Sequence, residues 1–249
     1  MNIWDMAKKK LSAFVNEFRN FVIREFNHEK YFCIVYGSYC YGLEAKDSDI
    51  DVLIVSEKLN ARRIKSVSKK VIDLHKKLGL SIDAEVPHRI KTICDFQTLS
   101  LAIKGKCFEV KNKKMFIPPI IKDKKFLESK EVVMRLLLNS LTSKSFFVCG
   151  DRKLYHKKRE ECSETIIKVV FSVFSINSIK ANNFVDMIIS NGEKEGEDFL
   201  GYKNISVVRK YLMKSFFKTF ESLVKDGKLI RKKDTFLVNN SGWFNDILF

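Results

Sequence analysis

Two aspartates separated by one residue, Asp49 and Asp51, are the side chains of this sequence best suited to chemistry. They come directly before an apolar run, Val52 to Val55, that is typical of a buried strand. Residues i and i+2 of a strand point to the same face, so the pattern predicts two carboxylates about 7 Å apart. Such a pair favours divalent cations. Mg²⁺ takes one or two carboxylates plus substrate phosphate oxygens, and two such ions can stabilise an attacking oxygen and a leaving pyrophosphate.

A Gly-Ser pair, Gly37 and Ser38, precedes the aspartates and ends another apolar run, Phe32 to Tyr36. Glycine lets the backbone approach a phosphate closely. The serine hydroxyl and nearby N–H groups at a helix start can then hold terminal phosphates. The two parts of the pattern therefore predict the same kind of substrate, a nucleoside triphosphate with its metal ions.

Together these residues resemble the core motif of the polymerase-β-like nucleotidyltransferase superfamily. That motif is a hydrophobic residue, Gly and Ser, a spacer of about ten residues, then Asp-hydrophobic-Asp-hydrophobic. In this sequence it reads Tyr36-Gly37-Ser38, Gly42-Leu43 and Ser48-Asp49-Ile50-Asp51. The sequence of this motif is similar to that of antibiotic adenylyltransferases and of terminal RNA nucleotidyltransferases.

The resemblance implies an enzyme that transfers a nucleoside monophosphate from a triphosphate, with ATP expected, to an acceptor hydroxyl. Pyrophosphate would be released and Mg²⁺ would be the cofactor. Asp49 and Asp51 would be catalytic metal ligands, and Gly37, Ser38 and Ser48 would bind the nucleotide.

A third acidic position is expected on a predicted strand from Leu80 to Pro87, where alternation puts Asp83 and Glu85 on one face. In the family, an acid on such a strand is a metal ligand or a general base. Asp83 is favoured as the catalytic metal ligand because it fits hydrophobic-Asp-hydrophobic and lies nearer the strand centre. Glu85 could instead deprotonate the acceptor hydroxyl. The alternative for both is an edge strand with a charged solvent face.

The predicted fold class is α/β (α+β), with a small mixed-sheet nucleotidyltransferase core over residues 1–120 and a helical domain over 121–249. Hydrophobic periodicity and turn signals support this division. The predicted helices are 3–27, 61–78, 94–104, 127–147, 152–177, 181–190 and 205–225. The predicted strands are 31–36, 49–56, 80–87, 107–110 and 115–117. The tail, residues 223–238, suggests either a winged-helix hairpin or a plain terminal hairpin packed on the helices, and the latter is favoured.

The net charge of +16 is unevenly placed. Residues 1–88 hold 15 Lys and Arg against 12 Asp and Glu (+3), and residues 89–249 hold 31 against 18 (+13). The excess could merely solvate the surface, or it could attract a polyanion. Within it, Lys157 and Lys158 could bind the triphosphate, or they could lie on a solvated helix face balanced by glutamates at helical spacing.

The acceptor is less constrained than the donor. A small hydroxylated molecule is favoured from the size and two-domain plan, whereas an RNA end such as a tRNA terminus fits the basic half. A protein side chain is another possible acceptor. The domain could also be a catalytically inactive binding or antitoxin module, although the intact aspartate pair argues against a loss of activity.

The six cysteines form no C-x-x-C pair. We expect no signal peptide, no membrane span and a cytoplasmic location, and we expect no particular oligomeric state.

Overall fold

The computed structural model describes residues 3–44, 48–82, 93–106, 109–111, 114–116, 130–194, 205–239 and 241–244. Its helices are α1 (Ile3–Glu25), α2 (Ser38–Tyr41), α3 (Ala61–Leu78), α4 (Phe96–Ile103), α5 (Lys130–Thr142), α6 (Arg152–Val173), α7 (Ala181–Lys194) and α8 (Ile205–Lys225). Its strands are β1 (Tyr31–Tyr36), β2 (Asp51–Ser56), β3 (Ile93–Asp95), β4 (Glu109–Lys111), β5 (Lys114–Phe116), β6 (Phe146–Gly150), β7 (Ser178–Lys180), β8 (Leu229–Lys232) and β9 (Thr235–Val238). A short 3₁₀ turn covers Ser241–Phe244.

The central sheet has the strand order β3-β2-β1-β6. Strand β1 is antiparallel to both of its neighbours, and β2 is parallel to β3. Strand β1 and the interior of β2 (Val52 to Val55) are continuous runs of β-branched and other apolar residues, as expected for strands that are buried on both faces. Their register pairs Tyr36 with Asp51, so β1 ends where β2 begins.

Helices cover both faces of this sheet. Val52 and Ile54 point to the face that is packed against α1 and α3, where Phe14 and Phe18 are fully buried. Strand alternation sends the residues between them to the other face, which is packed against α4, α5 and α6. The same alternation puts Asp51 on this second face, at the end of the strand.

Helix α3 forms where the sequence predicts it. Asn60 is its N-cap and accepts a hydrogen bond from the backbone N–H of Arg63 at 2.8 Å. Gly79 ends it in the left-handed conformation, with a φ of 59°. The predicted bounds, residues 61–78, are confirmed because both ends carry strong local signals.

The C-terminal region is helical, with a second, three-stranded sheet in the order β7-β9-β8. Helices α6, α7 and α8 share one apolar core with this sheet. The predicted mixed α/β fold with a helical C-terminal region is therefore confirmed. The preference for a plain terminal hairpin is wrong, because β7 pairs with β9 and makes the tail part of a three-stranded sheet.

No helix of the described residues is long and apolar enough to cross a membrane.

The predicted helix over residues 127–147 is also wrong at its end. Helix α5 stops at Thr142, and Phe146–Gly150 forms β6, which pairs with β1 at the edge of the central sheet. The segment contains aromatic and β-branched residues, which favour strands, and it becomes a strand because it pairs with the open edge of β1. The predicted domain boundary at residue 120 stays a prediction. The central sheet nevertheless includes β6, which lies C-terminal to that boundary.

Other predicted bounds change by a few residues. Ile93–Asp95 is a strand rather than the start of a helix, and the Asp95 carboxylate caps α4 by accepting from the Thr98 N–H at 2.6 Å. The predicted strand 80–87 falls largely outside the described residues, and the part that is described, residues 80–82, is not in a strand.

We expect Gly150→Ala to weaken the protein strongly. Gly150 has a φ of 97°, and a Cβ there would lie 2.9 Å from the Phe32 Cα and would overlap the Tyr31 carbonyl oxygen. About 1–2 kcal/mol of left-handed strain and about 1–3 kcal/mol of steric overlap should reduce the free energy of unfolding, measured by urea denaturation.

Gly227→Ala is the matched control. Its φ is 69°, but a Cβ there would have nothing within 4 Å. Only the backbone strain, about 1–2 kcal/mol, should appear. Equal losses in the two variants would show that β6 does not approach β1 as closely as described.

Candidate active site

The Asp51 carboxylate packs directly against the backbone of Gly37. Gly37 follows the last residue of β1 and has a φ of 85°, which disfavours any side chain. A Cβ at this position would overlap the Oδ2 atom of Asp51. Glycine is therefore required at position 37 for two independent reasons. One is the positive φ of the backbone, and the other is the space that the Asp51 carboxylate occupies.

Ser38 begins the single-turn helix α2, as the sequence predicts. Gly42 closes the turn in the left-handed conformation with a φ of 72°, and the Leu43 N–H donates to the Ser38 carbonyl at 3.1 Å. The Cys40 thiol donates to the Val35 carbonyl at 3.3 Å and folds the turn back onto β1. Burial raises the pKa of Cys40 to about 12, so the thiol keeps the proton that it donates.

A buried histidine holds the backbone between the two aspartates. The Ile50 N–H donates to Nε2 of His75 at 3.0 Å, and Nδ1 of His75 lies 2.8 Å from the Val71 carbonyl oxygen. Because an N–H can only donate, Nε2 carries no proton and Nδ1–H donates to Val71. Burial lowers the pKa of His75, while the nearby Asp49 carboxylate opposes this shift. A neutral His75 thus fixes the segment from Asp49 to Asp51.

His75 was not among the predicted site residues. A signal was available, because it follows Val71 by four residues and so shares the buried face of α3. A polar side chain on an apolar helix face must find partners inside the protein, and here the partner lies between the predicted metal ligands.

Two carboxylates of this region, those of Glu44 and Asp49, act electrostatically on Tyr39. Ile50 is buried, whereas Asp49 and Asp51 on either side of it are half-buried. Burial raises the pKa of the Tyr39 hydroxyl, and the carboxylates of Glu44 and Asp49 add to the increase. One carboxylate oxygen of Glu44 is buried and accepts no hydrogen bond from the described residues. Both carboxylates therefore contribute negative potential at the Tyr39 hydroxyl.

The C-terminal helices hold the other end of the α2 turn. Tyr41 packs into the C-terminal core, and its hydroxyl accepts from the Lys144 N–H at 3.0 Å. Its ring meets the Tyr211 ring edge-to-face, with centroids 5.6 Å apart. Arg159 lies over the Tyr211 ring at 5.6 Å and donates to the Ser143 carbonyl at 3.3 Å. The turn that carries Ser38 is therefore positioned by both halves of the chain.

Lys157 and Lys158, which were predicted to bind the triphosphate, lie beside a glutamate of their own helix, α6. Nζ of Lys158 lies 2.7 Å from the Glu161 carboxylate, and Nζ of Lys157 lies 4.0 Å from it. Both pairs have the i, i+3 or i, i+4 spacing of a charge-balanced helix face, although only Lys157 is largely exposed. A role for these lysines in binding the triphosphate stays a prediction.

The third acidic position cannot be placed with the others, because Asp83 and Glu85 lie outside the described residues. Ser48 is described and is half-buried next to Asp49. Within the described part of the chain, no three His, Cys, Asp or Glu side chains form a group that could hold a metal ion. The site that can be described is thus the aspartate pair with the Gly37–Ser38 turn.

We expect His75 to make the stability of the protein depend on pH. Its folded pKa is lowered below the unfolded value of about 6.5, so its contribution is fully present above that pH and is lost as the pH falls. The free energy of unfolding should fall between about pH 7.5 and about pH 5.5. In His75→Gln, a non-titrating variant, the fall over this window should be smaller.

His28→Asn is the control, because His28 is exposed and has a φ of 68°, which asparagine tolerates. This variant should keep the wild-type dependence on pH. An unchanged pH dependence in His75→Gln would mean that protonation of His75 does not disturb the Asp49–Asp51 segment.

Comparison with protein families gives one match, over residues 15–117, to the family described as nucleotidyltransferase domain. The matched range contains Gly37, Ser38, Asp49 and Asp51, and such a domain supports nucleotidyl transfer in general. Comparisons with curated proteins and with solved structures find no match. Residues 15–117 therefore form a nucleotidyltransferase domain of the polymerase-β-like superfamily.

Proposed function

We propose that this protein transfers a nucleoside monophosphate from a nucleoside triphosphate to an acceptor hydroxyl and releases pyrophosphate. The observation that carries this proposal is the Asp51 carboxylate packed against Gly37, with Asp49 two residues before it. This arrangement lies within the nucleotidyltransferase domain, where the Asp51 carboxylate borders Gly37, directly before the turn that begins with Ser38.

Asp49 and Asp51 would hold Mg²⁺. Their carboxylates offer the oxygen ligands that this ion prefers, and the charge of the neighbouring Glu44 adds to the negative potential. When bound, Mg²⁺ would stabilise the attacking acceptor oxygen and the leaving pyrophosphate. Asp83 is the proposed third ligand, and Glu85 is the alternative for this position or for the general base.

The remaining site residues would bind and orient the substrate. The backbone at Gly37 and the hydroxyl of Ser38 would hold the terminal phosphates, with Ser48 near the start of the aspartate segment. His75 would act as a positioning residue through the Ile50 N–H. Because His75 is buried and neutral at ordinary pH, it adds no charge that would compete with the cation.

For the substrates, we propose ATP as the donor and a small hydroxylated molecule as the acceptor, in the cytoplasm. An RNA end or a protein side chain is the alternative acceptor. The test is incubation with each α-labelled nucleoside triphosphate, Mg²⁺ and a cell extract, followed by separation of small molecules, RNA and protein. Label in the small-molecule fraction with ATP supports the proposal, and label in another fraction reassigns the acceptor.

We expect Asp49→Asn and Asp51→Asn each to reduce transfer by about 10²–10³-fold or more, since each removes a charged metal ligand. Melting temperatures give a second measurement. Mg²⁺ should raise the melting temperature of the wild type but not that of either variant. Without Mg²⁺, the variants should be at least as stable as the wild type, because a repulsion between like charges has been removed.

Asp73→Asn is the matched control, since Asp73 is an exposed carboxylate on α3. It should transfer at the wild-type rate. The same assay ranks Asp83→Asn against Glu85→Gln, and the larger loss identifies the third acid. Wild-type rates in Asp49→Asn or Asp51→Asn would contradict the metal assignment.

A separate prediction concerns Gly37. Gly37→Ala should displace the Asp51 carboxylate and reduce transfer by about 10²-fold or more, as expected when a reacting group is misplaced by about 1 Å. Gly79→Ala has a similar left-handed φ of 59° but open space around its Cβ. It should lose about 1–2 kcal/mol of stability and keep its activity. Equal activity in both variants would show that contact with Gly37 does not position Asp51.

A further inference from the structure

The C-terminal unit has the arrangement of a winged helix. Its elements follow the order α6-β7-α7-α8-β8-β9, and its sheet has the order β7-β9-β8. The last two strands form a hairpin directly after α8. In helix-turn-helix proteins, the second helix of the pair enters the major groove of DNA. The corresponding element here is α8.

The inner face of α8 is held firmly in this unit. Phe216 and Phe220 are buried against Phe184 of α7, with ring centroids 5.0 and 5.2 Å from it. Outside the core, the Arg209 guanidinium binds the Asp186 carboxylate through two hydrogen bonds of 2.7 and 2.9 Å. Helices α7 and α8 are therefore fixed relative to each other, and the opposite face of α8 is left exposed.

That exposed face is basic. Lys210, Lys214, Lys218 and Lys225 recur along it at helical spacing, and all four are exposed. Lys210, Lys214 and Lys225 form no ion pair with another described residue. Lys218 lies 3.6 Å from the Glu160 carboxylate, but both side chains are largely exposed, so this pair is weak. The face presents positive charge along a 21-residue helix, interrupted by Glu221, whose carboxylate binds Arg231 of β8.

The hairpin adds charge beside α8. Arg231 on β8 lies over the Phe217 ring at 5.2 Å and binds the Glu221 carboxylate at 2.7 Å, which ties the hairpin to the exposed side of α8. Its Nε donates to the Lys233 carbonyl at 2.8 Å and shapes the turn. Lys232 and Lys233 stand exposed at the tip, and neither forms an ion pair with another described residue.

We propose that this unit binds duplex DNA, with α8 in the major groove and the hairpin tip on the phosphate backbone. The major groove of B-form DNA, about 12 Å wide, admits an α-helix, whereas the major groove of duplex RNA is too narrow and deep. Five lysines are available for phosphates: Lys210, Lys214, Lys225, Lys232 and Lys233. Five contacts give a slope of about −4.5 for the logarithm of the binding constant against the logarithm of salt concentration.

The test is fluorescence anisotropy with a labelled DNA duplex of mixed sequence, at about 50 mM and about 200 mM salt. The wild type should bind at the lower salt and weaken steeply at the higher. The double variant K210Q/K214Q should bind about tenfold or more weakly, and its salt slope should be smaller in magnitude by about 1.8, the contribution of two phosphate contacts. Urea denaturation checks that the variant folds.

The matched control is K65Q/K69Q, which removes two exposed lysines at the same spacing on α3. Its DNA binding should equal that of the wild type. Equal losses of affinity in both double variants would show that only the net charge of the protein matters, and this would overturn the proposal. An absence of DNA binding by the wild type at the lower salt would overturn it as well. Binding of duplex RNA as tightly as DNA would overturn the placement of α8 in the groove.

DNA binding does not depend on the proposed transferase activity, and one variant separates the two. Asp51→Asn should lose nucleotidyl transfer and keep the wild-type affinity for the duplex. If the wild type transfers no nucleotide but binds DNA as described, only the proposed function fails. If it transfers nucleotide but binds no DNA, only the present inference fails.

Discussion

The close contact between the Asp51 carboxylate and the Gly37 backbone is the constraint on which the site depends. It requires the β1–β2 register that pairs Tyr36 with Asp51, because a slip of one residue would turn Asp51 to the opposite face of the sheet. It also requires a positive φ at Gly37, which directs the chain into the α2 turn. The carboxylate and the start of the turn are thus placed by one piece of backbone geometry.

Groups around this contact support it without adding charge. Burial keeps His75 neutral and keeps the thiol of Cys40 protonated, and each of them makes a hydrogen bond to the backbone. These interactions fix the turn and the aspartate segment while leaving the carboxylates as the dominant charges. The proposed binding of a cation and a triphosphate would benefit from this arrangement, since a bound cation would relieve the repulsion between the two acids.

The two halves of the chain share the structure of the site. Strand β6 returns from beyond residue 130 to pair with β1, and Tyr41 of the α2 turn packs into the C-terminal core. The lysines of α8 and of the hairpin beside it are exposed outside that core. The protein therefore combines a nucleotidyltransferase domain with a C-terminal unit whose core holds Tyr41 of the α2 turn and whose exposed face is rich in lysine.

The local features of this protein could be predicted from short stretches of sequence. Apolar runs define β1 and β2, Asn60 and Gly79 delimit α3, and the Gly37–Ser38 and Asp49–Asp51 patterns identify the nucleotidyltransferase motif, because each depends only on neighbouring residues. Three features could not be predicted in this way: Phe146–Gly150 forms a strand, β7 pairs with the terminal hairpin, and His75 accepts a hydrogen bond from the Ile50 N–H. Those outcomes depend on a free strand edge or on a partner 25 residues away, and pairing across such distances is not encoded in any short segment.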